Sequence, residues 1–211
     1  MQNQSFHIIF AEGYYKHTLG FRSKDHASWN LPPLPAPSFR FGGAVANDLN
    51  LLIGVDGNFV VNDCDLTRVD FVINFEEFFN AQIQEKYLFY QHLANGEIRQ
   101  LTQNIEIEYP YSNYPLKETQ IRIAETPQSL LKQKWEGNCN KIGGEPIWVQ
   151  QPEALLCPIS GDPMQFIFQL DSGLPDLNER NANEIMFGND GILYAFWSSA
   201  ERVSGYLWQC T

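Results

Sequence analysis

Cysteine, histidine and carboxylate are the residue types in this chain that could hold a metal, attack a carbonyl or move a proton. The four cysteines stand at 64, 139, 157 and 210, and the four histidines at 7, 17, 26 and 92. A structural zinc site needs four nitrogen or sulfur ligands, usually in close pairs. No two of these cysteines lie two to four residues apart and all four histidines fall in the first half of the chain, so packing thiols and no metal are expected. Asp56, Asn58, Asp63 and Asp65 lack the order and the closing Glu of a calcium loop, and read as turn residues with solvated carboxylates. No Gly-x-Ser-x-Gly elbow occurs. A cysteine–histidine pair such as Cys157 with His92 is open on sequence distance alone, although nothing in the residues around Cys157 marks a depressed pKa. Gly42-Gly43 and Gly143-Gly144 lack the Lys-Ser/Thr of a phosphate loop and read as tight turns.

What remains is aromatic and amide. Trp148, Tyr206 and Trp208 would line a groove with Gln150, Gln165, Gln169 and Asp171. Rings supply contact area and amides satisfy backbone groups, a combination suited to a peptide. The alternative is that the rings are core and the glutamines lie in water. Gln169 and Asp171 sit on an otherwise apolar strand, and need partners if buried.

The elements that would position these groups are mostly strands. The chain has 211 residues, 15 Phe, 9 Tyr and 5 Trp, and is 44% apolar, enough for one large domain without disulfides or metals. Asp56-Gly57 and Asn95-Gly96 lie between apolar runs as hairpin signals. Ile105, Ile107 and Tyr109 alternate with Glu106 and Glu108, and Ile121 and Ile123 flank Arg122, so both stretches read as strands whose charges pair across them. In MQFIFQLDS, Phe166, Phe168 and Leu170 share one face and Gln165, Ile167 and Gln169 the other. GILYAFW is apolar on both faces, as a central strand covered on both sides would be. SGYLWQC places Tyr206 and Trp208 on one face of a packed closing strand. One helix is predicted over 127–136, with Thr126 as cap, Pro127 in the first turn, Leu130, Leu131 and Trp135 on one face and Gly137 as the stop. Residues 1–30 show no clear period, and the prolines at 32, 33, 35 and 37 make a stiff, extended connector. Arg40-Phe-Gly-Gly43 and Lys141-Ile-Gly-Gly144 echo each other, as equivalent points of a duplicated fold would.

Charge narrows the partners. Lys plus Arg number 14 and Asp plus Glu 25, a formal net charge of −11. Phosphate backbones and anionic membranes repel such a chain, whereas a basic client such as a ribosomal protein suits it. The opening MQNQSFHIIFAEGYY carries no basic and apolar secretion pattern, no stretch reaches the roughly 18 apolar residues of a membrane span, and sparse cysteines fit a reducing compartment, so a cytoplasmic location is expected.

Lys141-Ile-Gly-Gly-Glu-Pro-Ile-Trp-Val-Gln150, Cys157-Pro158, Gly161 through Asp171, Gly188, Gly191 through Trp197 and Ser204 through Cys210 together resemble the YwqG-like family of bacterial proteins of unknown function. The resemblance covers about a third of the chain. It implies a mainly antiparallel β architecture built from two related halves, and kinship with the programmed cell death protein 2 group, some members of which are chaperone-like. Some bacterial relatives are similar to proteins found near toxin systems, which implies immunity roles. Relatives often carry Cys-Pro-x-Cys where this chain has Cys157-Pro-Ile-Ser160, so a metal-binding role does not carry over.

The expected fold is thus mainly β, with antiparallel roll- or barrel-like sheets and one or a few short helices, or α+β by strict count. The expected organisation is a single domain over 1–211, with a β-rich lobe over 1–125, a helix over 126–137 and a lobe bearing the family resemblance over 138–211. The expected function is a protein-interaction or chaperone-like module for a protein or peptide partner, rather than an enzyme and without a cofactor. The alternatives are a hydrolase using scattered carboxylates or Cys157, and an immunity protein.

Overall fold

The computed structural model describes residues 4–10, 37–45, 48–110, 116, 118–125, 140–172, 185–188 and 191–210. The helix expected over 127–136 and the prolines at 32, 33 and 35 lie outside them. In chain order the elements are β1 (Ser5–Phe10), β2 (Ser38–Phe41), β3 (Ala44–Val45), β4 (Leu49–Asp56), β5 (Val60–Val61), β6 (Cys64–Asp65), β7 (Asp70–Ile73), α1 (Phe75–Ile83), β8 (Leu88–His92), β9 (Ile98–Gln100), β10 (Thr119–Glu125), β11 (Lys141–Gly143), β12 (Gln165–Asp171), β13 (Ile192–Ser198) and β14 (Val203–Gln209). The fold is mainly antiparallel β. No described helix is long and apolar enough to cross a membrane.

Among the described residues twelve strands form one sheet, in the order β3-β4-β2-β10-β1-β11-β12-β13-β14-β8-β9, with β7 on the other side of β4. Reading outward from the antiparallel pair β1–β10, the sheet repeats itself: β2, β4 and β7 follow on one side, and β11, β12 and β13 on the other. The register agrees. Arg40 of β2 faces Gly54 of β4, which faces Asp70 of β7; Lys141 of β11 faces Gln169 of β12, which faces Tyr194 of β13. Each middle strand carries a β-bulge at the same place, between Leu51 and Ile53 and between Phe166 and Phe168. Both diglycines are left-handed, with φ 74° and 86° at Gly42 and Gly43 and 75° and 67° at Gly143 and Gly144. A Cβ at Gly143 would run into the Val61 side chain and the Gln4 carbonyl, so this position tolerates only glycine.

The sheet curls over on itself, so that β7 packs across the interior on the other half. The Phe71 ring of β7 packs against Phe168 at 5.2 Å, Trp197 at 5.6 Å and His92 at 6.4 Å. Inside the curl lies the main core, including Ile8, Phe39, Phe41, Phe75, Phe78, Leu170, Phe187 and Tyr206. A second core lies on the outer face of β12, β13 and β14, where Phe166, Ile192, Tyr194, Phe196, Val203 and Leu207 meet Leu155, Cys157 and Met164. β13 is therefore buried on both faces, as its unbroken apolar run requires.

Several expectations need correction. The bulge at 166–168 inverts the alternation of β12, so Phe166 joins the outer core while Ile167, Phe168 and Leu170 enter the inner one. Asp56-Gly57 does not turn a hairpin between neighbours: β4 pairs with β2, β3 and β7, and the chain crosses instead to a separate β5–β6 hairpin whose turn is Asn62-Asp63, φ 49° and 60°. Asn95-Gly96 does close a hairpin, β8–β9, with Gly96 at φ 86°. Strand β1 lies where no period was legible.

Residues 105–109 form no strand, so their glutamates do not pair across a ladder with Arg122; β10 lies between β1 and β2. That segment docks instead on α1, a helix with no counterpart among the sequence expectations. Asn74 caps it, its Oδ1 accepting from Glu77 N at 3.1 Å, and Phe75, Phe78 and Phe79 face the core. The amides of α1 then act as surrogate strand neighbours. Asn80 Oδ1 accepts from Glu108 N and Tyr109 N, while its Nδ2 donates to Tyr109 O. Gln82 exchanges two bonds with the Trp208 backbone, at 2.7 and 2.8 Å. Side-chain amides thus satisfy backbone groups for which no strand partner exists.

Candidate functional site

The outer core is covered by residues 145–164, which apart from a Leu156–Pro163 bridge have no regular structure. Such a segment needs other partners for its backbone, and the sheet supplies them as side chains. The Tyr194 hydroxyl donates to Ile147 O at 2.9 Å and accepts from Val149 N at 3.1 Å. Gln169 Oε1 accepts from Ile147 N at 2.8 Å, and Gln209 Oε1 from Gln150 N at 3.0 Å. Gln209 Nε2 donates to Gln151 O and to Glu153 Oε1, both at 2.8 Å. At the near end Asn62, in the β5–β6 turn, bonds Gly144 N and O and Phe166 O.

Between this roof, the β5–β6 turn and the sheet opens a cleft of about 310 Å³. Its aromatic wall is Trp148, Phe166 and Phe196, with Met164. The Trp148 and Phe196 rings lie 6.3 Å apart at 22°, and Phe166 and Phe196 5.9 Å apart at 73°. Its polar rim is Asn62, Gln165 and the carboxylates of Asp63, Glu145 and Glu153. Glu153 is fixed from outside the cleft, its Oε2 accepting from the Tyr87 hydroxyl at 2.6 Å and its Oε1 from the buried Gln209. That hydrogen bond, with burial and the neighbouring charge, pushes the Tyr87 phenol up to about 12. Lys141 lies below, its ammonium 5.7 Å from the Phe166 ring centroid and bonded to the Glu145 carbonyl oxygen.

The structure brings only part of the expected constellation together. Trp148 and Gln165 line the cleft. Gln150 and Gln169 hold the roof, Gln150 through its Nε2 bond to Cys210 O at 2.7 Å as well as its backbone. Asp171 lies at the far end of β12, where its Oδ1 accepts from Ser172 N at 2.9 Å. Tyr206 and Trp208 share a face as expected, but it is the inner one: Tyr206 is wholly buried, its phenol pushed up by burial, and Trp208 packs on Phe79 at 6.1 Å. The seven residues therefore do not form one groove.

Cys157 and His92 are also separated by the sheet, for Cys157 belongs to the outer core while His92 packs on Trp197 at 5.0 Å inside the curl. Burial pushes the Cys157 thiol up, yet the N–H groups of Ser160 and Ile159 and the hydroxyls of Ser160 and Ser198 bring it below its ordinary value, which the residue types alone did not indicate. His92 Nε2 lies 3.0 Å from Ser204 Oγ, and both residues are buried inside the curl. Cleft residues the sequence did not reveal include Asp63, Glu145, Glu153, Phe166 and Phe196; Asp63 comes from the β5–β6 turn and Glu145 and Glu153 from the roof segment, and only tertiary packing brings the two segments together. The lining contains no histidine, cysteine, serine or lysine to act as a nucleophile or imidazole base. Among the described residues, no group of three or more His, Cys, Asp and Glu is placed to hold a metal ion. No family model matches the chain, and neither a curated protein nor a solved structure does.

Proposed function

We propose that this chain is an interaction module that holds a segment of a partner protein at the cleft beside Trp148, in the manner of a chaperone-like binder working in the cytoplasm. The observation that carries the reading is the cleft's composition: a half-buried tryptophan with two phenylalanines behind it, ringed by amides and carboxylates and without a histidine, cysteine, serine or lysine. Aromatic area with a polar rim is what recognition of a protein segment uses. The net charge of −11 favours a basic partner over nucleic acid. The resemblance of residues 141–210 to the YwqG-like family is consistent with such a role. The hydrolase reading is weaker, because both oxygens of Glu153 already accept hydrogen bonds from Tyr87 and Gln209.

Affinity capture followed by mass spectrometry tests the proposal with the wild type, Trp148→Ala and Asp171→Ala. A specific protein retained by the wild type and Asp171→Ala but lost with Trp148→Ala is expected. The same set of proteins for all three would remove the cleft from the account.

A further inference from the structure

We infer that Asn95-Gly96, in the turn of the β8–β9 hairpin, is a modification site at which the Asn95 carboxamide is lost by reaction with its own backbone and with water. The turn takes no part in lining the cleft, so the inference stands apart from the proposed binding role. Asparagine closes most readily on the nitrogen of a following glycine, because no side chain there blocks the approach. Of all the asparagines in the chain, Asn95 alone precedes a glycine. Both residues are exposed, and a Cβ built at Gly96 would meet nothing within 4 Å. No neighbouring segment therefore obstructs ring closure or the water that must follow it.

The turn holds the reacting groups together. Asn95 Oδ1 accepts from Glu97 N at 3.0 Å, which folds the carboxamide toward the C-terminal side of its own backbone, where Gly96 N lies. The same bond polarises Cγ and stabilises the charge that gathers on Oδ1 as the nitrogen adds. Against this, Gly96 N donates to Leu93 O at 3.0 Å, and that bond must open first. It belongs to an exposed loop tip, where local opening costs little. In the first step Gly96 N gives its proton to water and bonds to Asn95 Cγ; the Cγ–Nδ2 bond breaks, and Nδ2 takes up a proton and leaves as ammonia. Water then opens the cyclic imide. Attack at Cγ leaves aspartate, and attack at the Asn95 backbone carbonyl leaves isoaspartate, with the chain running through Cγ. One water is consumed and one ammonia released, with no oxidant or reductant. Either product replaces an amide that donates to Glu97 Oε2 at 3.3 Å with a carboxylate that repels it. Isoaspartate also adds a backbone atom to the turn that sets the register of the edge strand β9.

The test incubates the full-length protein at mildly alkaline pH and body temperature, beside a blocked peptide of residues 93–98 and the protein unfolded in urea. Peptide mapping by mass spectrometry should find a gain of about 1 Da at Asn95 before any other asparagine of the folded protein changes. Fragmentation that separates the two acids should show a mixture richer in isoaspartate than in aspartate. The folded protein should react several-fold more slowly than the peptide, and urea should remove that difference, since both leave Gly96 N free of Leu93. Complete conversion of the peptide with position 95 of the folded protein unchanged would overturn the inference. An earlier gain at another asparagine would do the same, and so would aspartate without isoaspartate, which is direct hydrolysis of the side chain.

Discussion

The two sides of the sheet share strand order, bulge and diglycine, yet their outer faces are finished in different ways. On the β2–β4–β7 side, Arg40 donates through Nε to Asp56 at 3.0 Å and through Nη2 to Asp70 at 2.8 Å, while Gly54 between them leaves room for the guanidinium. On the β11–β12–β13 side the matching positions are Lys141, Gln169 and Tyr194. Gln169 and Tyr194 bond the backbone of the 145–164 segment. The first side closes its polar surface with ion pairs about 40% exposed; the second spends the equivalent residues on a roof, which creates a second core and the cleft. One scaffold thus supports a plain face and a roofed face with a cleft, and the difference lies in what two or three side chains reach.

The comparison can be broken most severely by removing residues 206–211. This deletes Tyr206, Leu207 and Gln209 from β14, which lies between β13 and β8, together with the Gln209 tethers of the roof. Loss of cooperative thermal unfolding is expected, and a truncated chain with an unchanged melting temperature would contradict the strand order. Next is Phe166→Ala, which empties the junction of outer core and cleft and should cost about 3–5 kcal/mol in denaturant unfolding. Removing the Arg40 ion pairs with Arg40→Met on the plain side should cost at most about 1 kcal/mol, because pairs this exposed are screened.

A pH profile probes what the two sides share. Burial holds His7 and, with help from the Arg202 charge, His92 down to about 4 against an ordinary 6.5. In the unfolded chain both imidazoles take up protons below about pH 6.5, and in the folded chain they do not until about pH 4. Their stabilisation is therefore present above pH 6.5 and declines as pH falls from 6.5 toward 4, by up to about 3 kcal/mol for each histidine. Urea midpoints measured across that window should fall with pH, and His92→Gln should flatten the slope.

How much of this was legible follows from the range of each interaction. The apolar run of β13, the alternation of β10, the Asn95-Gly96 turn and the paired diglycines are local patterns, and the structure keeps them. The bulge at 166–168 is set by the pairing of β12 with β13 and leaves no mark on composition, so it reversed the facing assigned to Phe166. Helix α1 did carry a signal, Asn74 followed by Glu77, but its phenylalanines resemble those of the strands around it. Trp148 and Gln165 were identified because they lie within the distinctive tail. Glu153 and Asp63 were not, since their roles depend on Gln209, Tyr87 and the Asn62 turn reaching them across the fold.

The claim that only the roofed side binds a partner is tested most directly by site-specific photo-crosslinking in cells. A photoreactive residue replaces Gln165 at the cleft rim or, on the plain side, exposed Asp56. A discrete crosslinked partner from position 165 and none from position 56 is the expected result. The same adducts from both positions, or a partner captured at 56 alone, would contradict the assignment of function to the roofed face.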